Sequence, residues 1–305
     1  MSNNANEFAT SAAGGAVDKN IELLDDAFRA ILLPGSAMRP IAEGFTFTEG
    51  PAWFDAGQYL LFSDIPGDTI FRWKEGEGHA VWRRPSHNSN GNTVDLQGRL
   101  LTCEHGSRTL TRTASDGAVS TLAAAYKGKR INSPNDVIVK RDGTIWFTDP
   151  PYGINPKTSE QPANCVFRLD GDGAEPVMVI DDFSRPNGLC FSPDESQLYI
   201  ADSDTKIHHI RRFRVNSDNT IQGGEVFATV DPGLPDGIRV DVDGRLYSTS
   251  ADGVHVFNPA GKLLGKIHTP ETAANCQFGG KDHRTLFITA TRTVWAVNLA
   301  VKGAR

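Results

Sequence analysis

Short apolar segments alternate with tight turns along most of the chain, and the same order recurs. A polar residue precedes an apolar strand, a turn rich in Asp and Gly follows, and a second apolar strand ends near Asp, Ser or Thr. The stretch SPNDVIVKRDGTIWFTD, residues 133–149, shows this order. Pro134 favours an extended conformation at Ser133 and opposes a helix start, so two strands joined by a turn are predicted here.

Six copies of this pattern are visible, and they begin at residues 48, 89, 133, 185, 234 and 274. Each copy carries a polar residue where its first strand begins. We call these six the head residues: Glu49, Asn90, Asn135, Asn187, Asp236 and Asn275. They follow one another at separations between 39 and 52 residues. A period in the forties with about four strands per unit is typical of propeller blades. The sequence therefore predicts an all-β, six-bladed β-propeller.

The predicted propeller occupies residues 36–305 as a single domain, preceded by a flexible arm and a short helix in residues 1–35. The helix is predicted over Asn20–Leu33, outside the ring, because apolar residues recur there at helical spacing. Ring closure requires a noncovalent joint between the first and last blades. We expect the strand in Arg39–Phe47 to complete the last blade beside Thr293–Val301.

Equivalent positions of successive blades lie on a circle around the propeller axis, so the six head residues are predicted to converge. Crowded carboxylate and amide oxygens are costly to bury unless something satisfies them. A hard divalent cation does so, and the carboxylates of Glu49 and Asp236 would balance its charge. Two alternatives stay open: the Asn and Asp heads are turn formers that bond their own backbone, notably Asn90 and Asn275, or the metal is a structural plug.

Composition narrows the class of partner. The chain has 31 basic and 37 acidic residues, a net charge of -6, and no basic block, which argues against nucleic acid. Its apolar runs are strand-sized, so no membrane contact is expected. No secretory signal is visible, and the four cysteines are scattered as expected of buried reduced thiols. We therefore expect a cytoplasmic protein, while the pattern leaves its oligomeric state open.

Four ordered motifs carry a family resemblance: EGPAW, SPNDVIVKRDGTIWFTDPPYG, RPNGLCFSPDESQLYIADS and PDGIRVDVDGRLY. Together they resemble the SMP-30/gluconolactonase/regucalcin family of six-bladed, metal-dependent lactonases, from about Glu43 to the C-terminus. The resemblance implies a metal held by Glu49, Asn187 and Asp236. Asn135 matches the position beside the metal, where it contacts the metal or its bound water and the substrate.

The implied reaction is hydrolysis of a sugar lactone such as gluconolactone, the small-molecule substrate that is the expected partner. One divalent cation, Ca2+ in the first place and Zn2+, Mg2+ or Mn2+ as alternatives, would polarise the lactone carbonyl. Asp236 would bind the metal through one oxygen. Its other oxygen would take a proton from the attacking water, which makes Asp236 the catalytic residue of this hypothesis.

The sequence departs from the family at Ser133, where regucalcin-like members carry an Arg that helps to hold the sugar. Tyr152 is a candidate substrate contact at the mouth, with loop packing as its alternative. His105, after the second repeat, is a candidate substrate contact or base, with a purely structural role as its alternative. Two other functions compete: phosphotriester hydrolysis on the same metal scaffold, and a non-enzymatic propeller that binds protein.

Overall fold

The computed structural model describes residues 18–304, which are nearly all β-structure. Their strands form six antiparallel sheets and one separate two-stranded ladder. The innermost strands of successive sheets contact one another, and the innermost strand of the sixth sheet contacts that of the first. The sheets therefore close into a ring, and the predicted six-bladed β-propeller is confirmed.

Two strands precede the first complete blade: β1 (Ile21–Leu23) and β2 (Arg39–Glu43). Blade 1 contains β3 (Thr48–Phe54), β4 (Tyr59–Asp64), β5 (Thr69–Lys74) and β6 (Gly78–Arg83). Blade 2 contains β7 (Ser89–Val94), β8 (Leu100–Glu104), β9 (Thr109–Thr113) and β10 (Val119–Ala123). The separate ladder pairs β11 (Ala125–Tyr126) with β12 (Lys129–Arg130). Blade 3 contains β13 (Val137–Val139), β14 (Ile145–Asp149), β15 (Asn164–Leu169) and β16 (Val177–Phe183).

The second half of the ring repeats this plan. Blade 4 contains β17 (Pro186–Phe191), β18 (Gln197–Asp202), β19 (His209–Val215) and β20 (Ile221–Thr229). Blade 5 contains β21 (Ile238–Val240), β22 (Leu246–Ser250), β23 (Gly253–Phe257) and β24 (Leu263–His268), with β1 added outside β24. Blade 6 contains β25 (Ala273–Gly279), β26 (Thr285–Ala290) and β27 (Thr293–Asn298), with β2 as its outer strand.

The core lies between neighbouring blades. Val137 and Ile138 are adjacent on β13, so their side chains leave opposite faces of the sheet. Val137 packs in a cluster with Leu101 of blade 2, whereas Ile138 packs in a cluster with Leu189 of blade 4. Because each blade is covered on both faces, its central strands are continuously apolar rather than alternating.

The ring closes at blade 6 as predicted. β2 pairs antiparallel with β27, with Pro40 opposite Trp295 and Glu43 opposite Thr293. Ala42 of β2 is buried in the apolar cluster that joins blade 6 to blade 1. Residues from the beginning and end of the described chain therefore share one sheet, which fastens the ring without a covalent link.

The segment Asn20–Leu33 differs from the single helix that its pattern predicts. It begins with β1, which pairs with β24, and continues as a 3-10 helix over Asp26–Ile31. The unpaired edge of β24 offers backbone hydrogen bonds that outweigh the helical pattern of this short stretch. Phe28 is fully buried against blade 5, outside the ring. The predicted flexible arm falls largely on residues 1–17, which lie outside the described residues.

Two further expectations concern the whole chain. Across residues 18–304, no helix is long and apolar enough to cross a membrane. All four cysteines are buried and free, as the scattered spacing predicts. A second 3-10 helix, Pro156–Thr158, lies in the long loop between β14 and β15.

Candidate active site

Five of the six head residues line a cavity of about 290 Å³ at one end of the ring. Every residue predicted to bind metal or substrate lines this cavity: Glu49, His105, Asn135, Tyr152, Asn187 and Asp236. Asn90 lines it as well, whereas Asn275 does not. Nδ2 of Asn275 instead donates to Oε2 of Glu49 at 3.0 Å. The structure thus brings the predicted site residues together, while their chemical roles stay predictions.

Two local features place the heads so close together. In blades 3 to 5 a proline precedes the head residue, as in Arg185-Pro186-Asn187, and keeps the entering chain extended. In four blades a glycine follows the head. A Cβ at Gly50 would lie 2.0 Å from the carbonyl oxygen of Asn90, and one at Gly188 would lie 2.2 Å from that of Asp236. Only glycine allows the backbones of neighbouring blades to approach this closely.

A chain of side-chain hydrogen bonds crosses the cavity floor. Nδ2 of Asn90 donates to Oδ1 of Asn135 at 2.7 Å, and Nδ2 of Asn135 donates to Oδ1 of Asn187 at 2.6 Å. This series of hydrogen bonds ends on one side at Ser203, whose Oγ lies 2.9 Å from Nδ2 of Asn187. On the other side it ends at His105, whose Nε2 lies 3.2 Å from Nδ2 of Asn90. Oδ1 of Asn90 is buried without a hydrogen-bond partner. The floor therefore holds an unsatisfied acceptor.

The two head carboxylates disfavour each other's ionisation. Burial, followed by the charge of Asp136, raises the pKa of Glu49 to about 7. Burial also raises the pKa of Asp236 well above its usual value, and the charges of Glu49 and Asp136 add to this effect. A cation bound in this solvent-accessible cavity would stabilise the ionised form of both carboxylates.

The sequence pattern assigns no role to Asp136 or to Arg239, yet both lie beneath the cavity. Asp136 is 1% exposed, and its Oδ2 lies 3.5 Å from Nη1 of Arg239. Arg239 also donates from Nε to Oε1 of Gln277 at 2.7 Å. The guanidinium of Arg239 counters one of these three carboxylates. When ionised, Glu49 and Asp236 would carry the two remaining negative charges, which one divalent cation would balance.

The donor chemistry of the cavity bears on the metal-binding interpretation, which stays a prediction. Within residues 18–304, no three His, Cys, Asp or Glu side chains gather as metal ligands. The predicted metal ligands are two carboxylates, together with the side-chain amides of Asn135 and Asn187. All four are oxygen donors, which suit Ca2+ or Mg2+ better than a soft metal. The residues present therefore fit a hard divalent cation.

Two further residues line the cavity, and a third supports one of them. Burial lowers the pKa of His105 to about 4, so its imidazole is neutral near pH 7. The hydroxyl of Tyr152 lies 3.5 Å from Nδ2 of Asn187, and burial raises the pKa of this phenol. Ser133 is fully buried, and its Oγ accepts a hydrogen bond from the amide of Gly153 at 2.8 Å. Ser133 therefore supports the loop of Tyr152 and does not line the cavity.

Fold and site together define a six-bladed propeller with an acidic, oxygen-rich cavity on its axis. Residues 47–292 match the family described as the SMP-30/Gluconolactonase/LRE-like region. The chain therefore belongs to this family, as the four sequence motifs indicate.

Individual relatives agree with this assignment. The chain is 33% identical over 302 residues to the gluconolactonase of Zymomonas mobilis, covering 90% of this chain and 84% of that protein. It is 36% identical over 251 residues to the 6-deoxy-6-sulfogluconolactonase of Pseudomonas putida, covering 80% of this chain and 83% of that protein. The solved structure of a gluconolactonase from Xanthomonas campestris superposes with a TM-score of 0.86 at 40% identity, covering 92% of this chain and 94% of that one.

Proposed function

We propose that this protein is a metal-dependent lactonase that hydrolyses a sugar lactone of the gluconolactone type. The observation that carries the proposal is the pairing of two mutually repelling carboxylates, Glu49 and Asp236, in a cavity on the propeller axis. The gluconolactonases of Zymomonas mobilis and Xanthomonas campestris, to which the chain is similar over most of its length, support the choice of substrate.

Glu49, Asn135, Asn187 and Asp236 would hold the cation, with Ca2+ as the proposed ion. When bound, such an ion acts as a Lewis acid toward the lactone carbonyl and stabilises negative charge on its oxygen. The protein would hold the four oxygen donors of these ligands in position. Asn275 serves this purpose through its bond to Glu49, and Ser203 does so through its bond to Asn187.

Asp236 is the proposed base. It lies partly exposed in the cavity, so its carboxylate is accessible to the attacking water. One carboxylate oxygen would accept a proton from water as the water oxygen bonds to the carbonyl carbon. The ring C–O bond then breaks, and the ring oxygen takes up the proton to become a hydroxyl. At pH 7 the aldonic acid product is ionised, so each turnover releases one proton to solvent.

The polar rim would orient the sugar. His105 is neutral and bonded to Asn90, so it offers a hydrogen bond to a sugar hydroxyl without adding charge. The Tyr152 phenol keeps its proton because its pKa is raised, so it can donate to a sugar oxygen, while its ring covers an apolar face. Asn135, at the centre of the amide chain, is the proposed contact shared by substrate and cation.

The test is proton release from glucono-1,5-lactone, corrected for spontaneous hydrolysis, after chelation and resupply of Ca2+, Zn2+, Mg2+ or Mn2+. We expect turnover to return with metal and to fall at least about a hundredfold in Asp236→Asn, since this change removes both a ligand and the base. Asp282→Asn, an exposed carboxyl, is the matched control. A phosphotriester assayed in parallel tests the competing hydrolase, and its hydrolysis without lactone turnover would overturn the proposal.

We also propose that the protein acts in the cytoplasm on this small-molecule substrate. The four free, buried thiols support a reducing compartment. Fractionation of cells that express the native chain would check the compartment, and recovery outside the cytoplasm would contradict it.

A further inference from the structure

Three blades carry an X-Pro-Asn/Asp sequence at the start of the inner strand, and the residue X repeats with it. Ser133, Arg185 and Leu234 occupy this position in blades 3, 4 and 5. Because side chains two residues apart on an extended chain point to the same side, X is directed toward the same end of the ring as the head residue. Arg185 and Leu234 both line the cavity, whereas the buried Ser133 does not.

Arg185 is the one cationic side chain among the described residues that line this cavity. It is exposed, and its guanidinium carbon lies 6.0 Å from the centre of the Tyr152 ring. No ion pair or side-chain hydrogen bond of Arg185 is found within residues 18–304. Arg185 lowers the pKa of Asp204 only as a minor cause, after the hydrogen bonds from Lys206 and Ser184. The guanidinium is thus held at the cavity without a committed anionic partner.

The charges of the site leave this guanidinium uncompensated. Arg239 counters Asp136, and a divalent cation would counter Glu49 and Asp236. His105 adds no charge near pH 7. An incoming molecule would therefore meet one net positive group at the rim, beside an aromatic ring that can cover a sugar face.

We propose that Arg185 is the specificity-determining residue of the cavity and selects lactones that carry an anionic group, such as phosphate, sulfonate or carboxylate, away from the reacting carbonyl. A guanidinium matches these groups through paired hydrogen bonds. The contact concerns recognition rather than bond breaking, so it acts mainly on KM. This inference rests on the proposed lactonase function and narrows its substrate class.

The experiment compares kcat/KM for 6-phosphoglucono-1,5-lactone and neutral glucono-1,5-lactone in the metal-loaded wild type and Arg185→Gln. We expect the wild type to prefer the anionic lactone by about tenfold, which corresponds to about 1.4 kcal/mol. Arg185→Gln should lose most of this preference through a higher KM, and Arg185→Lys should keep part of it. Arg214→Gln, which removes an exposed arginine from β19, the third strand of blade 4, is the matched control and should behave as the wild type.

Binding supplies a second readout that does not depend on turnover. Calorimetry should show that 6-phosphogluconate binds the wild type about tenfold more tightly than gluconate, and that added salt and Arg185→Gln both reduce the difference. Equal preference ratios in wild type and Arg185→Gln, with both lactones hydrolysed, would overturn the inference and leave the lactonase intact. Failure to hydrolyse either lactone with any metal would overturn both.

Discussion

Replacing Glu49 by Gln is expected to flatten the pH dependence of stability in the metal-free protein. Glu49 is 3% exposed, and burial together with the charge of Asp136 raises its pKa from 4.5 to about 7. A folded-state pKa above the unfolded value means that the unfolded chain ionises first. The stability contributed by the protonated group is therefore complete below about pH 4.5 and is lost as the pH rises through about 7.

The magnitude follows from the two pKa values. The interval between 4.5 and about 7 corresponds to about 3 kcal/mol in the free energy of unfolding. Gln keeps the shape of the side chain and an oxygen that can accept the bond from Asn275. Other buried acids, such as Asp149 with its pKa raised to about 7, contribute a slope that both proteins share. The difference between the two slopes therefore isolates Glu49.

The assay is urea unfolding in the presence of a chelator at pH 5 and pH 8, for wild type, Glu49→Gln and Glu43→Gln. Glu43 lies exposed on β2 and serves as the matched control. We expect the wild type and the control to lose about 2.5 kcal/mol more than Glu49→Gln between these pH values, because a small part of the contribution is already lost at pH 5. The same pH dependence in Glu49→Gln and wild type would refute the reasoning, because the carboxyl would then carry no burial or repulsion penalty.

Two further predictions concern the architecture that positions the site. Gly188→Ala should cost about 1–3 kcal/mol and weaken metal binding, because its Cβ would press on the carbonyl of Asp236, whereas Gly171→Ala, with open space around it, should change neither. Thermal melting and calorimetry check this, and equal behaviour of the two variants would contradict it. Ala42→Asp should cost more than about 3 kcal/mol by burying a charge in the closing blade, whereas Glu43→Asp on the same strand should be tolerated. Unfolding curves of equal midpoint would show that the closing strand contributes little.

The repeats explain why so much of the fold could be predicted from sequence. A head residue, an apolar strand and an Asp/Gly turn recur in register, so blade number and the convergence of the heads both follow from the period. Closure was predictable because β2 and β27 flank the repeats and each needs a partner. The structure of the segment around Phe28 could not be predicted, because β1 pairs with the exposed edge of β24. Only a short 3-10 helix forms where the longer helix was expected.

The ion pair beneath the cavity was missed, although the sequence holds a signal for it. Four heads are followed by glycine, whereas Asn135 is followed by Asp136, a carboxylate in a place that holds the smallest residue in four of the other five blades. Arg239 likewise interrupts the short buried strand β21. The sequence alone explains neither residue. Asp136 belongs to blade 3 and Arg239 to blade 5, and only the folded ring brings the two side chains together. Contacts between distant blades of this kind follow from three-dimensional packing and not from the repeat.

The most direct test of the central claim follows metal binding and lactone hydrolysis in one titration. Metal-free protein would receive Ca2+ in steps, with calorimetry measuring bound ion and proton release measuring turnover at each step. We expect one ion per chain, coincident binding and activity curves, and loss of both in Glu49→Gln. Full lactone turnover in the metal-free protein, or tight Ca2+ binding that leaves turnover at the spontaneous rate, would contradict it.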